Sequence, residues 1–157
     1  MKKLLVLGVG NLLLTDDGVG IHAVRDLEQE PRWDRNHVDF MDGATFTQDI
    51  FYIFQDYEWV LVLDAVKGNK EPGTIFRFTE ENMVANKEQR LSLHDIDLLD
   101  SLRMAELLGN KPRLIILGIE PLTISDWSEE LSPPVRAMYP RFLEAARREI
   151  DQLVHEG

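Results

Sequence analysis

Short apolar runs alternate along this chain with segments of helical periodicity. Runs of this kind are typical of parallel strands that are buried on both faces of a sheet. They predict strands at Lys3 to Val9, His37 to Met41, Trp59 to Leu63 and Arg113 to Leu117. Thr74 to Phe78 follows the turn-forming residues Pro72 and Gly73, and its side chains are expected to alternate between the two faces of a strand. We therefore expect an extra strand there, at an edge of the sheet, in parallel or antiparallel orientation.

Helices are predicted where apolar residues recur three and four positions apart. These segments are Val19 to Leu27, Thr47 to Tyr57, Asp95 to Leu108 and Pro134 to Val154. The polar stretch from Glu80 to Leu91 predicts an irregular loop. The alternation predicts an α/β fold, a three-layer sandwich with a twisted, mostly parallel sheet of about five strands and helices on both faces. The length of 157 residues predicts one domain, residues 1–157.

The composition excludes several kinds of protein. There are 17 basic and 28 acidic residues, a net charge of −11, so phosphate backbones and anionic lipids would be repelled. We expect neither nucleic acid nor a membrane as a partner. Cysteine is absent from the sequence, which excludes disulfides, thiolate metal sites and a cysteine nucleophile. Any metal ligands must therefore be oxygen or nitrogen atoms.

The amino terminus imitates a signal peptide, because two lysines precede an apolar run. Asn11 interrupts that run, Asp16 and Asp17 follow it, and no cleavage pattern of small residues accompanies it. The run is also too short to span a bilayer. We interpret it as the first strand of a cytoplasmic protein.

Acidic residues follow the predicted parallel strands where each strand ends. Asp16 and Asp17 follow the first strand, Asp42 the second, Asp64 the third and Glu120 the last. Ligands bind at the carboxyl ends of the strands in such sheets, near the point where strand order reverses. Each acid taken singly is explained equally well by a structural role, as a helix cap or a solvated charge, and by a functional role. Their common position nevertheless predicts an acidic site at this edge.

Asp64 and His94 are the most informative polar residues. Asp64 ends a buried strand and precedes Ala-Val rather than a helix start, so helix capping explains it poorly. Burial of an unpaired carboxylate costs free energy, and a bound cation would remove that cost. Ser92 and Asp95 form a capping-box pattern that predicts His94 in the first turn of a helix. The helix dipole there favours a neutral imidazole, which can bind a metal. A histidine standing alone would more often be a surface or packed residue. The remaining histidines, which we do not expect at this edge, are His22, His37 and His155.

The first loop leaves a nucleotide-binding alternative open. Gly8 and Gly10 follow a strand as in the dinucleotide fingerprint, and Asp42 has the position of a ribose-binding acid. Leu13, however, stands where the third glycine belongs. The acidic pair would also face the pyrophosphate, which disfavours phosphate binding.

Several motifs together resemble the nickel-iron hydrogenase maturation endopeptidases. In chain order they are GVGNLLLTDDGVG, DGAT, LVLDAV, SLHDIDLLD, GIEP and LSPPV. Their order and spacing extend over nearly the whole chain. The resemblance implies a three-layer α/β protease that removes a short carboxyl-terminal extension from the hydrogenase large-subunit precursor once nickel is installed.

The resemblance also implies the site residues. It assigns catalysis and metal contact to Asp17, Asp64 and His94, although some members carry Glu at the first of these positions. Two carboxylates and an imidazole suit nickel or zinc, with coordination positions left open. The nickel would be supplied by the substrate, and zinc or cadmium is expected to substitute for it in crystals. Substrate recognition is assigned to the segment Asp42, Gly43, Ala44 and Thr45, in which Ala44 replaces a family glycine.

The mechanism and two other functions stay open at this point. Water is the expected nucleophile, because no placed serine, threonine or cysteine is evident. Either Asp17 or Asp64 activates the water, as in an aspartyl protease, or the metal polarises the carbonyl or its bound water. The alternatives to a peptidase are a non-catalytic nickel-binding chaperone and a Rossmann-like nucleotide-binding module. We expect a monomer whose partner is the hydrogenase precursor.

Overall fold

A five-stranded sheet forms the centre of the protein. The computed structural model describes residues 1–43, 50–85 and 95–155. The strands are β1 (Lys2–Gly8), β2 (Val38–Asp42), β3 (Tyr57–Ala65), β4 (Ile75–Thr79) and β5 (Arg113–Ile119). Their order in the sheet is β2-β1-β3-β5-β4. All neighbours pair in parallel except β4, the edge strand, which pairs antiparallel with β5. The predicted sheet and its edge strand are therefore confirmed.

Five α-helices accompany the sheet within the described residues. They are α1 (Val19–Glu28), α2 (Phe51–Phe54), α3 (Glu80–Ala85), α4 (Asp95–Leu108) and α5 (Pro133–His155). A 3-10 turn, Thr15–Gly18, leads directly into α1. None of these helices is both long enough and apolar enough to cross a bilayer.

The two faces of the sheet have separate hydrophobic cores, because successive side chains of a strand point to opposite faces. In β1, Leu4 and Val6 belong to the core that α1 and α5 cover. Leu5 and Leu7 belong to the core that α2 and α4 cover. The helices therefore lie on both faces, and the predicted three-layer arrangement is confirmed.

Two predicted elements are wrong in part. The sequence pattern predicts Tyr57 at the end of a helix, but Tyr57 is the first residue of β3 and pairs with Lys2 of β1. Residues 47–49 of that predicted helix lie outside the described residues. The predicted irregular stretch begins instead with helix α3, whose start is capped by Thr79 and Asn82. A reciprocal cap of this kind can start a short helix without an apolar stripe.

The strand order determines where a site is expected. β2 and β3 lie on opposite sides of β1, so the connections from β1 and from β2 run in opposite directions across the sheet. A crevice at the carboxyl ends of the strands forms at such a reversal. The first apolar run, which imitates a signal peptide, forms β1 between those two strands. The loop after β1 and the end of β3 consequently border the edge at which the crevice is expected.

Candidate active site

Asp17 lies in the 3-10 turn that follows β1, and this turn packs against β3. Asp17 is only 9% exposed. The backbone N–H of Asn11 donates to Asp17 Oδ2 at 2.9 Å. No residue within the described ranges donates a hydrogen bond to Oδ1. The carboxylate is thus oriented through one oxygen, and the other is available for a ligand or a proton.

Gly10 makes the close turn of this loop possible. Its φ of +134° lies in a region that side chains disfavour, and a Cβ there would come within 1.9 Å of the carbonyl oxygen of Asp17. A similar approach occurs at Gly20 in α1, where a Cβ would lie 2.0 Å from the carbonyl oxygen of Leu63. Gly10 therefore allows the close turn at Asp17, and Gly20 allows α1 to pack directly against the end of β3.

Asp64 is the penultimate residue of β3 and is only 2% exposed. Its Oδ1 accepts a hydrogen bond of 2.8 Å from the backbone N–H of Ala65. The residue before it, Leu63, accepts a hydrogen bond of 3.0 Å from Val9 at the start of the Asp17 loop. The structure therefore places Asp64, near the end of β3, and Asp17, in the turn after the adjacent strand β1, at the same carboxyl edge, which the sequence predicts for both residues.

The third predicted residue, His94, lies outside the described residues, as does Ser92. Helix α4 is described from Asp95 onward, which agrees with the predicted helix. Within the described ranges, no group of three or more histidine and acidic side chains is arranged to hold a metal ion. The ligand set of Asp17, Asp64 and His94 accordingly stays a prediction.

Asp16, the neighbour of Asp17, has a structural position that the sequence analysis missed. Its fully buried carboxylate accepts four hydrogen bonds, all from the segment that follows β5. The donors are the backbone N–H groups of Leu122, Thr123 and Ser132 and the hydroxyl of Ser132. These bonds, of 2.6 to 3.2 Å, join residues more than a hundred positions apart. Asp16 therefore fastens the Asp17 loop to residues 122–132.

Asp42 and Gly43, from the predicted recognition segment, lie at the end of β2. Asp42 forms an ion pair of 2.9 Å with Arg25 of α1. The backbone N–H of Gly43 donates to the carbonyl oxygen of Gly8 at 2.8 Å. Both residues thus border the same edge as Asp17. Ala44 and Thr45 lie outside the described residues.

Two more residues near this edge differ from expectation. Glu120 neither caps a helix nor remains solvated: its buried Oε1 accepts hydrogen bonds from the backbone N–H groups of Gly68 and Lys70. It anchors the connection between β3 and β4. His22 was not expected here, yet its Nε2 lies 2.9 Å from the carbonyl oxygen of Glu129 in the segment after β5. It therefore contacts the segment after β5, which flanks the candidate site.

Comparison with known proteins identifies the relatives of this chain. The sequence profile of the family described as "Hydrogenase maturation protease" (HycI) matches residues 21–149. The chain belongs to the hydrogenase maturation protease family.

Individual members of the hydrogenase maturation protease family match nearly the full chain. The "Hydrogenase 2 maturation protease" of Escherichia coli K12 is 32% identical over 94% of this chain and 92% of its own length. The "Hydrogenase expression/formation protein HupD" of Rhizobium leguminosarum bv. viciae is 32% identical over 93% of this chain and 73% of its own. The solved structure of the "hydrogenase maturating endopeptidase HybD" from E. coli has a TM-score of 0.81, at 32% identity, covering 95% of this chain and 93% of that one.

This hydrogenase maturation protease is therefore a hydrolase, a peptidase of the endopeptidase type. The fold also matches the "[NiFe] hydrogenase maturation protease HybD" of Thermococcus kodakarensis, with a TM-score of 0.77 and 25% identity over 95% of this chain and 99% of that one. The family resemblance carried by the sequence motifs is confirmed. Membership favours a peptidase over the nucleotide-binding module and the non-catalytic chaperone.

Proposed function

We propose that this peptidase removes the carboxyl-terminal extension of a nickel-iron hydrogenase large-subunit precursor after nickel has been inserted. The supporting observation is the pair of buried carboxylates, Asp17 and Asp64, at one carboxyl edge of the sheet beside the strand-order reversal. Carboxylate oxygens at this edge are suitable ligands for a divalent metal ion. We infer that the metal bound here is held by the substrate.

The proposed recognition uses side chains of this protein as additional ligands for the nickel that the precursor holds. Asp17 is suited to this role, because its Oδ1 accepts no hydrogen bond from the described residues. Asp64 contributes a second carboxylate, and His94 would add an imidazole nitrogen. Mixed oxygen and nitrogen ligands fit a borderline divalent ion such as nickel. Cleavage would then depend on nickel, because the precursor alone would lack the contact that positions its peptide bond.

Water is the proposed nucleophile. Cysteine is absent from the sequence, and the two buried hydroxyls of the loops beside Asp17 are already used as donors. Ser132 donates to Asp16 at 2.6 Å, and Thr15 donates to the carbonyl oxygen of Asp126 at 2.6 Å. If either hydroxyl became an alkoxide, its hydrogen bond would be lost, and with it a contact between the loop after β1 and the segment after β5. A carboxylate is better placed to take a proton from water.

In this scheme, the water oxygen attacks the scissile carbonyl carbon while Asp17 or Asp64 accepts its proton. The peptide C–N bond then breaks, and the proton passes to the departing amine. The products are a mature precursor with a new carboxyl terminus and a released peptide. Nickel in the substrate would stabilise the negative charge that develops on the carbonyl oxygen.

The experiment is to incubate the purified protein with nickel-loaded and with metal-free precursor and to measure the precursor mass. We expect a shorter mass in the nickel-loaded sample and an unchanged mass in the metal-free one. A chaperone would bind nickel and leave both masses unchanged, and a nucleotide-binding module would show heat of dinucleotide binding in calorimetry.

We further propose a cytoplasmic setting, which is consistent with the use of the amino-terminal apolar run as β1.

A further inference from the structure

Three large apolar side chains are exposed on the two loops that flank Asp17. Leu13, in the loop after β1, is 48% exposed. Leu122 and Trp127, in the segment after β5, are 57% and 77% exposed. Exposed apolar groups gathered at one place often mark a surface that binds another protein.

Backbone hydrogen bonds hold these two loops together. Ser128, next to Trp127, donates from its N–H to the carbonyl oxygen of Leu13 at 2.9 Å and accepts from the N–H of Thr15 at 2.8 Å. The N–H of Leu122 donates to Asp16 Oδ2 at 2.8 Å. The three exposed side chains therefore stand on one connected support. A fixed support lowers the entropic cost of binding a partner there.

The same support carries the candidate catalytic residue. Leu13 and Asp17 belong to one loop, whose turn is closed by the hydrogen bond from Asn11 to Asp17. A protein bound across Leu13 would thus lie next to the carboxylate that is proposed to act on it. This continuity distinguishes Leu13 from Leu107, which is 80% exposed but lies near the end of α4, just before the amino end of β5.

Charges around this surface indicate the chemistry of the partner. Asp126 and Glu129 are exposed beside Trp127. Neither carboxylate is paired with a side chain in the described part of the protein. Glu130 is also exposed and has a long contact of 3.5 Å with Arg136. An approaching segment with lysine or arginine beside apolar residues would satisfy both the apolar and the acidic groups.

We propose that Leu13, Leu122 and Trp127 form a docking surface for the protein substrate, and that this surface binds an apolar segment flanked by basic residues. The identity of that substrate, a hydrogenase large-subunit precursor, rests on the function proposed above. Trp127 is the main anchor, because a large, exposed aromatic side chain gains the most from burial at an interface. The surface contributes affinity for the protein part of the substrate, whereas Asp17 and Asp64 contribute contact with its nickel and the reaction.

The test compares Trp127→Ala and Leu122→Ala with Leu107→Ala as the matched control. KM for nickel-loaded precursor and the dissociation constant for metal-free precursor are measured for each. Removal of an interface anchor should raise both constants about tenfold or more, and the effect should fall on KM rather than kcat. Leu107→Ala should match the wild type, and Trp127→Phe should recover most of the affinity.

The acidic part of the surface is tested with the double variant Asp126→Asn and Glu129→Gln. It should slow association with the precursor at low salt and reduce the salt dependence of that rate. Both positions are exposed, so the variant should fold like the wild type, which circular dichroism would check. An unchanged association rate and salt dependence would overturn the basic character assigned to the partner.

The outcomes separate this inference from the proposed function. If the wild type binds the precursor but does not shorten it, the proposed function fails, and a loss of binding in Trp127→Ala still supports the surface. If the wild type shortens the precursor and Trp127→Ala has an unchanged KM, the surface is overturned while the function stands. Wild-type protein that binds neither form of the precursor contradicts both. A wild-type dimer that Trp127→Ala converts to a monomer would assign the surface to self-association instead and overturn the inference.

Discussion

Replacing two adjacent aspartates should have opposite consequences. Asp16 is fully buried and accepts four hydrogen bonds from residues 122–132. Asp17 accepts one side-chain hydrogen bond, from the N–H of Asn11. We predict that Asp16→Ala destabilises the fold, whereas Asp17→Ala abolishes peptidase activity and leaves the fold nearly as stable as before.

The magnitudes follow from those contacts. A hydrogen bond to a charged group contributes about 1.5 kcal/mol or more, so four of them set a scale of roughly 6 kcal/mol. Removing the carboxylate of Asp16 also removes the cost of burying its charge, which lowers the expected loss to about 3–5 kcal/mol. For a domain of this size, that corresponds to a fall in Tm of roughly 10 °C. On the same scale, the single bond to Asp17 contributes about 1.5 kcal/mol, and the same correction for burying the charge lowers the expected loss to about 1 kcal/mol.

The assay is urea and thermal unfolding followed by circular dichroism, with precursor processing measured on the same samples. Asp16→Asn and Asp17→Asn serve as matched variants that keep the shape of the side chain and remove its charge. An Asp16→Ala protein within about 1 kcal/mol of the wild type would refute the anchoring role. Equal destabilisation by Asp17→Ala would refute the division of roles between the two residues.

Three other predictions concern the edge of the sheet and the opposite end of the strands. His94→Ala and Asp64→Asn should each abolish processing of nickel-loaded precursor without changing the far-ultraviolet circular dichroism spectrum, and full processing by both variants would contradict the ligand assignment. Gly10→Ala should reduce processing more than tenfold, because its side chain would displace Asp17, and a kinetic assay at saturating precursor would measure this loss. Burial raises the pKa of Asp39, but hydrogen bonds, one of them from Tyr57, hold that pKa below the ordinary value of 3.8. The ionised Asp39 carboxylate therefore stabilises the folded state at pH values above 3.8, and this stabilisation is lost as the pH falls through the lowered pKa of Asp39. Tyr57→Phe should accordingly cost about 1 kcal/mol at pH 7 and less near pH 2, and equal losses in urea unfolding at both pH values would contradict this.

The fold could be predicted from the sequence where burial dominates. Strands β1 and β5 were located to within two residues, because a strand buried on both faces must be apolar along its whole length. The prediction failed for Tyr57, whose apolar ring suits a helix face as well as a strand. Its position is decided by pairing with β1 and by the hydrogen bond to Asp39, both of which are long-range contacts.

The candidate site could be predicted only in part. Asp64 was identifiable because an acid at the end of a buried strand is unusual, and the structure places it at the expected edge. The different positions of Asp16 and Asp17 could not be derived from their spacing. Asp16 and His22 both form hydrogen bonds with groups more than a hundred residues away. The pattern of neighbouring residues in the sequence contains no information about such distant partners. Trp127 was missed for the same reason, since its place beside Leu13 depends on pairing between two distant loops.

The central claim is that this peptidase shortens a hydrogenase precursor only when the precursor holds nickel. The most direct measurement is the intact mass of the large-subunit precursor after incubation with wild-type protein, with and without nickel in the precursor. The account predicts a single cleavage near the carboxyl terminus of the nickel-loaded precursor and none in the metal-free one. Equal cleavage of both forms, or an unchanged mass in both, would contradict it.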